Sequence, residues 1–145
     1  MVQVLFVCLG NICRSPMAEA VFRKMVDAEG LNQQIYIDSA ATSSWEHGNP
    51  VHRGTRERLA REGISTVGMY SRILNDDDLS ADYIIGMDES NIINIEKFLR
   101  NRYSGKVNRL LEYAGEDRDI LDPWYTDDYE TTYRDVREGC AAILK

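Results

Sequence analysis

The chain has 145 residues, 43% of them hydrophobic, which suits one domain (1–145) with a single core. Its net charge of -7 argues against a nucleic-acid partner, because proteins that bind the phosphate backbone usually present a basic face. Three cysteines are too few for a disulfide framework, so we expect reduced thiols. The sequence shows neither a signal peptide nor an apolar run that could span a bilayer, so we expect a cytoplasmic location and no membrane partner.

The hydrophobic pattern alternates between strands and helices along the chain. It begins with a buried strand at Val2–Cys8 and a helix at 15–30 that carries Pro16 in its first turn. Later strands are predicted at 35–38, 82–87 and 107–111, later helices at 51–62, 88–102 and 129–144, a short extended segment at 64–70, and loops at 39–52 and 112–128. This alternation predicts an α/β domain with a parallel sheet, whose ligand site lies at the carboxyl ends of the strands.

The segment between the first strand and the first helix has the features of an anion site. Backbone N–H groups at a helix start lack partners within the helix, and the helix dipole favours negative charge there. Gly10 is expected to provide the backbone turn that brings successive N–H groups inward. The segment does not match the nucleotide-binding loop GxxxxGK[ST], because it has no lysine and begins with Cys8.

The spacing C-x5-R-S assigns chemistry to this loop. The helix start, the loop amides and the guanidinium of Arg14 all favour a thiolate at Cys8, which predicts a nucleophile, while Arg14 offers two coplanar donors for phosphate oxygens. Ser15 is expected to donate to the sulfur, and Asn11 to hold the loop by bonding the backbone or a hydroxyl such as that of Ser39. The expected phosphate-binding residues are Leu9, Gly10, Asn11, Ile12, Cys13, Arg14 and Ser15.

The stretch CLGNICRSPMAEA resembles the signature of the low-molecular-weight protein tyrosine phosphatases, which carry this loop directly after their first strand. The resemblance extends to DSAATSSW at 38–45, DYIIGMDESN at 82–91 and LDPWY at 121–125. It implies a flavodoxin-like, four-stranded parallel sheet flanked by helices. It also implies hydrolysis of phosphotyrosine in a partner protein, and of small aryl phosphates, with neither a metal nor a cofactor.

A thiolate that displaces a phenolic oxygen needs a proton donor on the far side of the phosphorus. Asp122 is the candidate, because Pro123 stiffens the following loop, and Trp124 and Tyr125 are expected to shield the carboxyl from water. The resemblance assigns this aspartate the same role, and then that of the base that activates water. Together with Trp45, the two aromatic residues are candidates for the wall of a phosphotyrosine pocket.

Several alternatives stay open at this point. Cys13 is either a packing residue or a partner for a reversible disulfide with Cys8. Trp45 and Trp124 are either pocket-wall residues or packing residues without substrate contact. Arsenate reduction on the same fold is disfavoured, since it needs a relay of cysteines and none lies between Cys13 and Cys140. A module that binds phosphotyrosine without hydrolysing it is disfavoured because the nucleophile and the acid are both present.

Other polar residues give no sign of a metal site. His47 and His52 fit no metal pattern with the cysteines, and the acidic run 76–78 is interpreted as a solvated helix start. Ala41, Met69 and Gly86 depart from the residues usual in the family, which leaves the packing around the loop open. We expect a monomer or a weak dimer.

Overall fold

The central strand of the sheet is β1 (Val2–Cys8), and the computed structural model, which describes residues 1–144, places a parallel neighbour on each side of it. The sheet has four parallel strands in the order β2-β1-β3-β4, which confirms the expected flavodoxin-like α/β architecture. The other strands are β2 (Ile35–Ala41), β3 (Tyr83–Gly86) and β4 (Lys106–Arg109).

Helices cover both faces of the sheet. They are α1 (Arg14–Ala28), α2 (Arg53–Ala60), α3 (Glu89–Leu99), α4 (Pro123–Thr126) and α5 (Tyr129–Ile143), with 3-10 turns at Asp76–Ser80 and Leu110–Ala114. Because side chains of a strand alternate between its faces, Val4 and Phe6 pack into the core beneath α1 and α5, while Leu5 and Val7 pack beneath α3. Within residues 1–144, none of the helices combines the length and the hydrophobicity needed to cross a membrane.

The second strand is longer than predicted. The polar residues that follow position 38 suggest a loop, yet β2 continues to Ala41 because β1 pairs with it in parallel register as far as Cys8 and Ala41. The predicted loop at 39–52 therefore starts three residues too early. The pairing partner is distant in sequence, so local composition could not indicate this extension.

Three further predictions differ from the structure. The extended segment at 64–70 contributes no strand, and its last residue makes only an isolated bridge to Pro50. The fourth strand ends at Arg109, after which Leu110 and Leu111 are buried in a 3-10 turn. The acidic run 76–78 does begin a short 3-10 helix, but Asp78 is buried and paired with Arg72 instead of being solvated.

Gly139 makes the close contact between α5 and the turn after β4 possible. A Cβ at this position would lie 2.4 Å from Leu110 Cγ, and Leu110 is fully buried. We expect Gly139→Ala to lower the free energy of unfolding by about 1–3 kcal/mol, although alanine normally favours a helix over glycine. Urea denaturation measures the change.

Ala141→Val is the matched control, because it adds volume on the exposed side of the same helix. A Gly139→Ala protein as stable as the parent would show that the contact with Leu110 is not tight.

Candidate active site

The loop between β1 and α1 surrounds the sulfur of Cys8 with hydrogen-bond donors. The backbone N–H groups of Asn11 and Ser15 donate to Sγ at 3.3 and 3.5 Å, and the Ser15 hydroxyl lies 3.1 Å from the same atom. Cys8 is buried at the carboxyl end of β1, and α1 begins at Arg14. Donors aimed at one sulfur stabilise a negative charge on it.

Asn11, and not Gly10, makes the turn of this loop. Asn11 has a φ of 56°, in the left-handed region that asparagine tolerates better than most residues, whereas Gly10 is not among the residues with positive φ. The role expected for Gly10 is therefore wrong. A Cβ on Gly10 would lie 3.3 Å from Glu46 Cγ, a tight contact that the partly exposed glutamate side chain could relieve by a small shift.

The side chain of Asn11 ties the loop to β2. Its Nδ2 donates to Ser15 Oγ at 2.8 Å and to Ser39 Oγ at 2.9 Å, while its Oδ1 accepts from the backbone N–H of Arg72 at 3.2 Å. The Ser39 hydroxyl donates in turn to the buried carboxylate of Glu19 at 2.5 Å. The structure thus brings together the three residues predicted to support the loop, and adds Glu19.

Arg14 is a buried cation at the first position of α1. Nη1 donates to Asp88 Oδ2 at 2.6 Å and to the carbonyl oxygen of Ile120 at 2.8 Å, and Nη2 lies 3.4 Å from Asp122 Oδ2. Burial alone would lower the pKa of Arg14, but the negative charges of Cys8, Asp88 and Asp122 raise it above its usual value. Nε is buried and has no hydrogen-bond partner within residues 1–144, so it can donate to a bound oxyanion.

Asp122 is the N-cap of the single-turn helix α4, which lies in the segment predicted to be a loop. Its Oδ1 accepts from the backbone N–H of Trp124 at 3.0 Å, and Pro123 occupies the first helical position. Trp124 and Tyr125, the aromatic residues expected to shield this carboxyl, line the same cavity as Asp122 but are themselves 56% and 76% exposed. The carboxylate side chain of Asp122 is 19% exposed and lies beside the buried guanidinium of Arg14.

A cavity of about 250 Å³ opens above the sulfur. The three aromatic residues predicted for the pocket wall all line it, and its lining consists of Cys8, Leu9, Gly10, Ile12, Cys13, Trp45, Glu46, Asp122, Trp124 and Tyr125. Trp45 is 76% exposed, so the structure places it at the cavity mouth and not in the core. A larger cavity of about 360 Å³ is lined in part by Arg72. The guanidinium of Arg72 is already paired with the carboxylates of Asp38 and Asp78.

The other two thiols differ from Cys8 in their surroundings. Burial, followed by the nearby charges of Cys8 and Asp122, raises the pKa of Cys13 to about 12. Burial also raises the pKa of Cys140, which lies in the core. In the part of the chain that the structure describes, no group of three or more His, Cys, Asp or Glu side chains is arranged to hold a metal ion.

Asp88 and Ile120 are site residues that the sequence interpretation missed. Asp88 is predicted only as the first residue of the helix 88–102; one of its oxygens does cap that helix by accepting from the backbone N–H of Asn91 at 2.7 Å, but its other oxygen holds Arg14. A signal for it existed, since Asp88 follows β3 at the same sheet edge at which Cys8 ends β1. For the Ile120 carbonyl there was no signal, because a backbone oxygen in an irregular segment carries no sequence pattern.

Comparisons with known proteins agree with this geometry. The sequence pattern of the family described as low molecular weight phosphotyrosine protein phosphatase matches residues 3–145. The low molecular weight protein-tyrosine-phosphatase YfkJ of Bacillus subtilis is 45% identical over 147 residues, which cover 99% of this chain and 94% of that protein. The protein-tyrosine-phosphatase PtpA of Staphylococcus haemolyticus is 44% identical over 146 residues, with 99% and 92% covered.

Solved structures are similar over the same length. The crystal structure of YfkJ gives a TM-score of 0.95 at 46% identity and covers 99% of this chain and 92% of that one. DARP, a drosophila arginine phosphatase, gives a TM-score of 0.92 at 33% identity, with 99% and 96% covered. The loop geometry, the family match and these relatives lead to one conclusion: the chain belongs to the low-molecular-weight protein-tyrosine-phosphatase family of hydrolases.

Proposed function

We propose that this phosphatase hydrolyses phosphotyrosine in proteins, and small aryl phosphates, through a cysteinyl-phosphate intermediate on Cys8. The observation that carries the proposal is the convergence of the N–H groups of Asn11 and Ser15, and of the Ser15 hydroxyl, on one buried sulfur. Such an arrangement supports both a reactive thiolate and the binding of phosphate oxygens in the same loop. The family match over residues 3–145 supports treating 1–145 as one phosphatase domain.

In the first step, the sulfur of Cys8 attacks phosphorus and the bond from phosphorus to the phenolic oxygen breaks. Asp122 donates its proton to the departing oxygen, so tyrosine leaves as a neutral phenol. Arg14 and the backbone N–H groups of the loop bind the three non-bridging oxygens, and Nε of Arg14, which has no partner among residues 1–144, is available for one of them.

In the second step, Asp122 takes a proton from a water molecule that attacks the phosphorus of the intermediate. The bond from sulfur to phosphorus breaks, inorganic phosphate forms, and the sulfur leaves as a thiolate. Ser15 Oγ, 3.1 Å from Sγ, donates to that thiolate and stabilises it. The step consumes one water and returns Asp122 to its protonated form, so the cycle needs no further reactant.

The cavity favours an aromatic substrate. Trp45, Trp124 and Tyr125 line the cavity with aromatic side chains and Ile12 adds an aliphatic surface, so a phenyl ring can pack against them. Three free, buried thiols are consistent with a reducing cytoplasm as the site of action.

Asp122→Asn is expected to lower kcat/KM for phenyl phosphate by about 10²- to 10⁴-fold, because the amide cannot donate the proton that phenol needs to leave. Asparagine is also a good N-cap, so α4 is retained. For 2,4-dinitrophenyl phosphate, whose leaving group needs little protonation, the loss should be much smaller. Steady-state release of phosphate measures both values.

Asp127→Asn is the matched control, since Asp127 ends the same short helix with a positive φ that asparagine accepts. Equal losses for the two substrates would contradict the role of Asp122. Hydrolysis of phosphoarginine at a rate comparable with phosphotyrosine would contradict the proposed substrate class, an outcome worth testing because a drosophila arginine phosphatase shares the fold.

Iodoacetate at neutral pH is expected to alkylate Cys8 alone. The reagent is an anion that the loop can bind, whereas Cys13, with its pKa raised to about 12, stays protonated and poorly nucleophilic well above neutrality. Peptide mass spectrometry identifies the modified residue, and inorganic phosphate should slow the reaction. Alkylation of Cys13 as fast as that of Cys8 would argue against Cys8 as the nucleophile.

A further inference from the structure

His52 lies where the sulfur loop, α2, α4 and α5 meet. Its backbone N–H donates to the carbonyl oxygen of Ile12 at 2.8 Å, which fixes its position relative to the loop that holds the sulfur. Its Nδ1 accepts from the N–H of Gly54 at 3.2 Å and so caps α2. The proposed mechanism gives this side chain no role.

The ring of His52 packs between two aromatic residues that belong to the C-terminal part of the chain. It stacks on Tyr129, with ring centroids 5.8 Å apart and planes 5° from parallel, and it meets Trp124 edge to face at 5.3 Å and 70°. The Tyr129 hydroxyl lies 2.9 Å from Nδ1. Since Gly54 donates to Nδ1, we assign the donor role in the second contact to the Tyr129 hydroxyl and the ring proton to Nε2.

The sequence leaves room for this contact at Gly54. A Cβ on Gly54 would lie 2.3 Å from the ring of Tyr129, so any larger residue would displace the tyrosine. Burial, followed by the proximity of Cys13, raises the pKa of Tyr129 to about 12, which keeps its hydroxyl protonated as the donor that this geometry requires.

Helix α4 needs such support, because it has only four residues and one turn does not hold its own shape. Asp122 caps it, and the contact from Asp122 to Arg14 is long, at 3.4 Å. Pro123 is buried and holds one side of α4, whereas Trp124, two residues after Asp122, is more than half exposed and contacts His52, which adds a second restraint on where α4 sits.

We infer that His52 is a positioning residue for the reaction: held by Tyr129, it fixes Trp124 and thereby sets the distance of the Asp122 carboxyl from Cys8. This inference rests on the proposed role of Asp122 as the proton donor. A carboxyl displaced by a fraction of an ångström transfers its proton less efficiently, while the sulfur loop itself is unchanged.

His52→Asn separates this role from that of a cap. Asparagine supplies an acceptor for the N–H of Gly54, so α2 keeps its N-cap, but the ring that contacts Trp124 and Tyr129 is lost. We expect kcat/KM for phenyl phosphate to fall about tenfold, and that for 2,4-dinitrophenyl phosphate to change by less than about twofold. His47→Asn, at the other histidine of the chain, which is exposed, should change neither value.

Two further variants complete the test. Tyr129→Phe keeps the stacked ring but removes the donor to Nδ1, and is expected to show a smaller loss with the same dependence on the leaving group. His52→Asn should add no further loss in an Asp122→Asn background, because its effect passes through Asp122.

The outcomes distinguish the two proposals. If Asp122→Asn shows no dependence on the leaving group, the proton donor itself is assigned wrongly. If Asp122→Asn does show that dependence, but His52→Asn lowers kcat/KM equally for both substrates or for neither, the positioning role is overturned. His52 is then only a structural residue. Should His52→Asn fail to fold, Tyr129→Phe decides between these outcomes, by the same comparison of its losses in kcat/KM for the two substrates.

Discussion

The buried charge of Arg14 is the constraint on which the rest of the site depends. A guanidinium that is 2% exposed is costly to remove from water unless negative groups and hydrogen-bond acceptors surround it. Asp88, Asp122 and the carbonyl oxygen of Ile120 provide these acceptors, and they come from two different segments of the chain. The requirement to neutralise one cation therefore fixes the segment that carries Asp122 beside the loop that carries Cys8.

The parallel sheet makes this arrangement possible, because the carboxyl ends of its strands meet at one edge. Cys8 ends β1, Asp88 follows β3, and Arg109 ends β4. Arg109 Nη1 donates to Asp119 at 3.1 Å, and Asp119 accepts from the N–H of Glu89 at 3.0 Å. This pair of contacts anchors the irregular segment just before Ile120. The end of β3 thus leads to a group that contacts Arg14, and the end of β4 provides a residue that fixes the segment holding two others.

The parts of the site that could be predicted from the sequence are local. The strand β1, the helix after it and the C-x5-R-S spacing lie within consecutive residues, so the order of residue types carries their geometry. The pairing of Arg14 with Asp88 joins residues 74 positions apart, and the extension of β2 to Ala41 depends on its register with β1. Neither leaves a local pattern. The left-handed turn at Asn11 was missed because glycine, its neighbour, is the commoner solution.

The net charge of -7 and the binding of a phosphate group are reconciled by distance and burial. At physiological ionic strength, exposed charges are screened beyond about 8 Å, so the acidic surface acts on an approaching phosphoprotein and only weakly on the base of the cavity. The charged residues that line the cavity, Glu46 and Asp122, are both acidic. Capture of an anion must then come from donors that solvent does not screen: the loop amides around Cys8 and the buried Nε of Arg14. The fold fixes these donors close to the sulfur, so they bind the phosphate group at short range. The acidic surface affects only how the substrate approaches the cavity.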